Sequence, residues 1–279
     1  PGLFIPITHT RKSTPVASTT LFLNRLKHFF YRVTGLKEYL VADCIPYNLR
    51  VKFHILDGLG RDIYYKRGVY AEDYITQYLL KHLDIRDQDL LLDIGANIGW
   101  YSMTLSSKAR PRIIAFEPDV SNFALLEENL RMNRKDRVRA YNKGVSDHAG
   151  TLTLHLYKKV NQGRHSAIKQ AGSVGTVEVP IIALDEFLPR EGYGAGPIKL
   201  LKIDIEGYEF TALPKAPNTL ERVQWILTEF SPYLMRDAGQ EPAVVVEPEQ
   251  VALGLQRGDL RLGGNQPARE VVRARGGNG

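Results

Sequence analysis

A chain of 279 residues, 43% hydrophobic and 24% charged, can bury one sizeable core, alone or with appendages. Its single cysteine, Cys44, excludes an intramolecular disulfide framework and a cysteine-rich zinc site, so a cytoplasmic protein is expected. The net charge of +6 does not indicate a nucleic-acid partner: residues 1–40 hold +5, residues 250–279 hold +3, and the segment between is −2. No run approaches the ~18 apolar residues that cross a bilayer. A start at Pro1, with neither an initiator Met nor an apolar leader, reads as a fragment or trimmed chain.

Residues 1–20 are rich in Thr, Ser and Pro without a period and read as a disordered lead-in. Phe22, Leu26, Phe29, Phe30 and Val33 then recur at helical spacing, with Arg25, Lys27, His28 and Arg32 between them. The expectation is a short helix packed on the main domain with a solvated basic face. A weak membrane-surface contact through residues 21–33 is the sharper alternative. Residues 41–87 form an N-terminal extension: β-like pieces at Arg50–Ile55 and Asp62–Tyr65, then a helix over 71–83 with Tyr74, Tyr78 and Leu79 on one face.

From Leu90 the pattern changes. Apolar strands at Leu90–Gly95, Arg112–Glu117, Val138–Val145, Ile198–Asp204 and Val223–Phe230 alternate with helical stretches after Trp100 and near Ser121, and a hairpin joins Thr151–Tyr157 to Thr176–Ile182. That alternation predicts an α/β fold, a doubly wound parallel sheet covered on both faces. The boundaries expected are a lead-in and amphipathic helix over 1–40, the extension over 41–87, the main domain over 88–240 and a poorly ordered tail over 241–279.

Open parallel sheets bind ligands beyond the carboxyl ends of their strands. The first strand here ends in Asp93-Ile-Gly95-Ala96-Asn97-Ile-Gly99, where Gly95 permits a tight turn and Gly99 a close approach. Glu117, before Pro118, ends the second strand, where a carboxylate accepts hydrogen bonds from both hydroxyls of a ribose. A dinucleotide site would place Gly, not Asn, at position 97, and Asp93 would repel phosphate. S-adenosylmethionine has an ammonium and a sulfonium but no phosphate, and is the expected cofactor. A nicotinamide-binding domain is the alternative.

These segments, with Val145-Ser146-Asp147 and Leu201-Lys-Ile-Asp-Ile-Glu-Gly-Tyr-Glu209, resemble FkbM-type methyltransferases over about residues 65–235. The resemblance implies a class I methyltransferase fold, with a seven-stranded sheet in which only the last strand is antiparallel. It also implies O-methylation of sugar or natural-product hydroxyls. By position it would lay Asp93, Gly95, Asn97 and Gly99 along the methionine part, Glu117 on the ribose and Ser146 near the adenine.

A hydroxyl acceptor needs a general base. Asp204, at the tip of the fourth strand, is the leading base or acceptor-orienting residue. His165, in a Gly-containing loop, is the second candidate, with a solvated loop histidine as its plain alternative. Glu206 and Glu209 read equally as carboxylates satisfying a helix start, and no spacing demands a metal. The partner expected is a small-molecule or glycan acceptor, not nucleic acid, because the Asn/Asp-Pro-Pro-aromatic signature of base methylation is missing after Asp204. A nucleic-acid or other N-methyltransferase and a non-catalytic domain that keeps the pocket are the alternatives. Residues 247–279, rich in Gly and Arg, predict no packed strand, which would leave Val223–Phe230 as an open sheet edge.

Overall fold

The computed structural model describes residues 18–68, 73–157, 167, 173–230 and 268–273. Helix α1 (Ser18–Thr34) leads into antiparallel strands β1 (Tyr39–Cys44) and β2 (Leu49–His54). Two helices follow, α2 (Gly58–Lys66) and α3 (Asp73–His82). Strand β3 (Leu90–Ile94), helix α4 (Trp100–Leu105), strand β4 (Arg112–Phe116), helix α5 (Val120–Met132) and strand β5 (Val138–Tyr141) form the first half of the main sheet. Short strands β6 (Gly144–Ser146), β7 (Gly150–Leu156) and β8 (Gly175–Ala183) make a separate sheet. Helix α6 (Leu184–Arg190), strand β9 (Leu200–Ile203), helices α7 (Glu209–Ala212) and α8 (Pro217–Leu220), and strands β10 (Trp225–Phe230) and β11 (Ala268–Arg273) complete the described chain.

The main sheet has six strands among the described residues, in the order β11-β10-β9-β3-β4-β5. All neighbours are parallel except β11, which runs antiparallel along β10. Alternate residues of each strand face opposite sides. Leu91, Ile113, Ala115, Leu200 and Leu227 join one buried cluster, while Leu90, Leu92, Ile94, Ile114, Phe116, Leu201, Ile203 and Ile226 join the other. Each Leu or Ile so buried contributes about 1.5–3 kcal/mol, which is why strands buried on both faces read as continuous apolar runs. The expected doubly wound α/β sheet is the one observed, with six of the seven expected strands among the described residues and the last of them antiparallel. The extension shares this core: Val51, Phe53, Ile63, Ile75 and Leu79 lie in the same cluster as Leu91 and Leu200.

Three local expectations are corrected. Asp62–Tyr65 is helical, because the Asp57 carboxylate accepts the Gly60 N–H at 2.6 Å and caps α2, and a Cβ at Gly60 would overlap the Phe53 ring. Helix α3, by contrast, turns the expected face inward: Leu79 lies in the core with Ile75, and Tyr74 and Tyr78 pack half-buried against the same cluster. The strand expected over Val138–Val145 breaks after Tyr141. There the Asn142 side chain donates to the carbonyls of Glu117 and Pro118, both at 2.9 Å, and Gly144–Ser146 crosses to pair with β8 instead. Finally, β10 is not an open edge: Leu227 lies opposite Val271 and Ile226 opposite Val272. Two adjacent β-branched residues with a partner on one side only are enough for an edge strand, despite the Gly-rich sequence around them.

Helix α1 also meets the rest of the molecule differently from expectation. It docks through the side that carries Asn24, His28 and Tyr31, while Phe22, Leu26, Phe29, Phe30 and Val33 are exposed. Among the described residues no helix is long and apolar enough to cross a membrane.

Candidate active site

In the order β9-β3-β4 the central strand has one neighbour from later in the chain and one from the next unit, so the sheet changes winding direction at β3. Three loops therefore meet at the carboxyl ends: residues 95–99 after β3, 117–119 after β4 and 204–208 after β9. The cleft between 106–111 and 134–138 lies at the opposite ends of β4 and β5, away from these loops.

The first loop is shaped by its neighbours. The Gly95 and Ala96 N–H groups donate to the Phe116 carbonyl at 3.0 and 2.9 Å. Gly95 has φ 71°, and a Cβ there would overlap the Asp204 carbonyl; Gly99 has φ 91°, and its Cβ would lie 2.6 Å from Leu126 of α5. Both glycines are thus required by packing inside the protein. Asn97 also adopts a left-handed conformation, at φ 51°, which Asn tolerates better than most residues. Directly after the loop, the buried Trp100 donates its indole N–H to Thr76 Oγ1 at 2.9 Å.

Asp93 is 3% exposed. Its Oδ2 accepts from the Ser102 N–H at 3.0 Å and the Ser102 hydroxyl at 2.6 Å, tying β3 to the first turn of α4. Its Oδ1 lies 3.3 Å from Lys202 Nζ and makes no hydrogen bond. Lys202, equally buried in β9, donates to the carbonyls of Ile94 at 3.1 Å and Gly95 at 2.5 Å. The pair lies beneath the loop and fixes it from below. Lysine inside a strand motif gave no signal for this role in the linear chain.

Glu117 is the pivot of the second loop. One oxygen accepts from the Asn97 N–H at 2.7 Å and the other from the Asp119 N–H at 3.0 Å. Burial, partly offset by these two bonds, pushes its carboxyl up to about 7. Pro118 is half-buried.

Ser146 is 1% exposed, and its hydroxyl donates to Asp147 Oδ1 at 2.8 Å. The residue with free surface at this position is Asp147, which also contacts His148 at 2.6 Å and whose acidity is strengthened by these hydrogen bonds. Ser146 Oγ also lies 3.5 Å from the Tyr208 hydroxyl, which brings this strand end alongside the third loop. In that loop the Asp204 N–H bonds the Ile94 carbonyl at 3.1 Å, and Asp204 and Glu206 are half-buried. Glu209 is buried; it accepts the Ile205 N–H at 2.7 Å and closes the turn, so its structural reading is the one the geometry supports. Burial also raises its carboxyl to about 7. His165 lies outside the described residues.

The side chains at the strand tips are therefore carboxylates, Asp93, Glu117, Asp147 and Asp204, with one lysine already engaged by carbonyls. Such a set suits a cationic ligand with hydroxyl groups and opposes a phosphate.

A model of the methyltransferase FkbM domain matches residues 93–250, more than half of the chain. The chain belongs to the FkbM methyltransferase family. It is an S-adenosylmethionine-dependent methyltransferase with the class I fold. Among its relatives, a hexuronic acid methyltransferase, AglP, of Haloferax volcanii is 26% identical over 210 residues, covering 74% of this chain and 80% of that protein. The 2-O-methyltransferase NoeI of Sinorhizobium fredii is 26% identical over 157 residues, covering 51% of this chain and 63% of its own length. A solved FkbM methyltransferase from Methylobacillus flagellatus aligns with a TM-score of 0.38 at 18% identity, over 58% of this chain and 40% of that one.

Proposed function

We propose that this FkbM methyltransferase transfers a methyl group to a hydroxyl of a sugar or glycan, and that the three loops form its active site. The observation that carries the reading is Glu117: a carboxylate at the tip of β4, fixed by the Asn97 and Asp119 N–H groups where the three loops meet, in a site lined by acids. The sugar acceptor is supported by two relatives that act on a hexuronic acid and on a 2-O position. Cytoplasmic residence is part of the reading, supported by a sequence with one cysteine.

In this reading Glu117 accepts the ribose hydroxyls, Asp147 accepts from the adenine amino group in place of Ser146, and Asn97 with Gly95, Ala96 and Gly99 borders the methionine part. Asp93 works from beneath the loop through Ser102 and Lys202. When bound, S-adenosylmethionine supplies a methyl carbon on a sulfonium. Asp204 would hold the acceptor hydroxyl and take its proton as the methyl group is transferred. Positioning of the two reactants provides the rest of the rate.

Asp204→Asn keeps the shape of the loop and removes the base. The expected result is near-normal binding of S-adenosylhomocysteine with turnover lowered ~10²-fold or more, read with labelled cofactor on uronic-acid and neutral glycosides. Near-wild-type turnover would transfer the role to another residue, with His165 next.

A further inference from the structure

The amphipathic helix α1 is mounted with its apolar side outward. Its polar side makes the attachment: His28 Nε2 lies 2.8 Å from the Ile55 carbonyl, His28 Nδ1 3.1 Å from the Tyr65 hydroxyl, and Asn24 donates to the Tyr64 carbonyl at 2.9 Å. His28 is 3% exposed, and burial lowers its basicity. At 100° per residue, Phe22, Leu23, Leu26, Phe29, Phe30 and Val33 fill an arc of about 120° on the far side. They are between 47% and 67% exposed. Arg25 and Arg32 border one margin of that arc and Lys27 the other, and the helix contains no acidic residue.

A surface helix held by hydrogen bonds on one side, with six large apolar side chains on the other, needs a second apolar medium. We propose that α1 lies in the interface of an anionic lipid bilayer, with its phenylalanines in the acyl boundary and Arg25, Lys27 and Arg32 among the headgroups. Charge decides the occupant. A second copy of the chain would set two like-charged triplets against each other, whereas an anionic surface neutralises one. Transfer to a membrane-bound acceptor would then occur in two dimensions.

The test is flotation of the whole chain with vesicles of phosphatidylcholine alone or with 30% phosphatidylserine, alongside the Phe29→Asp/Phe30→Asp variant. Three cations at the surface should favour the anionic vesicles by about a hundredfold. The double variant should lose binding at least tenfold while retaining S-adenosylhomocysteine affinity, since neither residue is near the active site. No flotation of the wild type, or equal flotation of the variant, would overturn the proposal. So would a wild-type dimer that ignores vesicles and dissociates in the variant, which would make a second copy the occupant.

Discussion

In the proposed site Glu117 would carry two duties that compete for one proton: holding the Asn97 and Asp119 N–H groups and accepting ribose hydroxyls. In the free protein its carboxyl is raised to about 7 by burial, so below that pH it holds a proton. Ribose hydroxyls donate to the ionised form, so binding lowers this pKa and expels the proton. Affinity should therefore rise with pH, by up to about tenfold per unit below pH 7, and level off above it. Calorimetric titration of S-adenosylhomocysteine at pH 5.5, 6.5 and 8 measures this, and a flat profile would take Glu117 out of the ribose contact. Glu117→Gln should flatten the profile and weaken binding by ~2 kcal/mol. Lys202 is the residue the linear chain hid. Lys202→Met leaves the Asp93 carboxylate buried without a cation and the Gly95 carbonyl without its donor, at a cost of about 3–5 kcal/mol. Adding Asp93→Asn should recover part of that cost, and denaturant unfolding of the single and double variants gives the coupling. A loss below ~1 kcal/mol in Lys202→Met would show that the loop does not depend on the pair.

Between elements, the main stitch is a pair of asparagines one turn apart, Asn129 on α5 and Asn133 at its C-cap. Asn129 accepts the Lys52 N–H at 2.6 Å and donates to the Lys52 carbonyl at 3.0 Å; Asn133 treats Arg50 the same way, at 2.8 and 2.6 Å. Two side-chain amides thus satisfy a stretch of β2 as a neighbouring strand would. Asn129 also donates to the Ile98 carbonyl at 2.9 Å, so the same side chain steadies the glycine loop. Because Asn129 is fully buried, Asn129→Ala should cost about 2–4 kcal/mol in thermal or chemical unfolding, and Asn133→Ala, nearer solvent, about 1. Equal losses would mean that burial does not set their weight. This bridge has no periodic signature. The strands β3, β4 and β9 were readable because burial on both faces demands unbroken Leu and Ile. Helix α2 was not, because Asp62-Ile-Tyr-Tyr suits either structure and the deciding cap, Asp57, acts five residues earlier. The orientation of α1 was also hidden: helical spacing shows that an apolar face exists, not which side the hydrogen bonds of His28 and Asn24 turn inward.

For the whole molecule, the decisive signals were those at strand tips. Gly95, Asn97, Gly99 and Glu117 meet at the carboxyl ends of β3 and β4, the corner that a switch point in a parallel sheet marks for a ligand and that the linear chain also pointed to. Ser146 shows the limit, since its burial and its bond to Asp147 depend on β6 leaving the main sheet, which no local pattern records. The far edge is a second case. Truncation before Ala268 removes β11 and uncovers six residues of β10, so it should lower the unfolding midpoint and promote concentration-dependent association, measured by sedimentation velocity. A truncated protein that stays monomeric with an unchanged midpoint would show that β11 adds nothing to the sheet.

The position of Trp100 has a practical consequence. The chain has two tryptophans. One opens the helix directly after Gly99, buried, its ring edge-on to Tyr47 at 5.6 Å and its N–H held by Thr76; the other, Trp225, begins β10. With Trp225→Phe the remaining indole becomes a single emitter attached to the glycine loop. Filling of the loop then becomes an optical signal, with the emission maximum and its quenching followed in real time, without label and without knowledge of the acceptor.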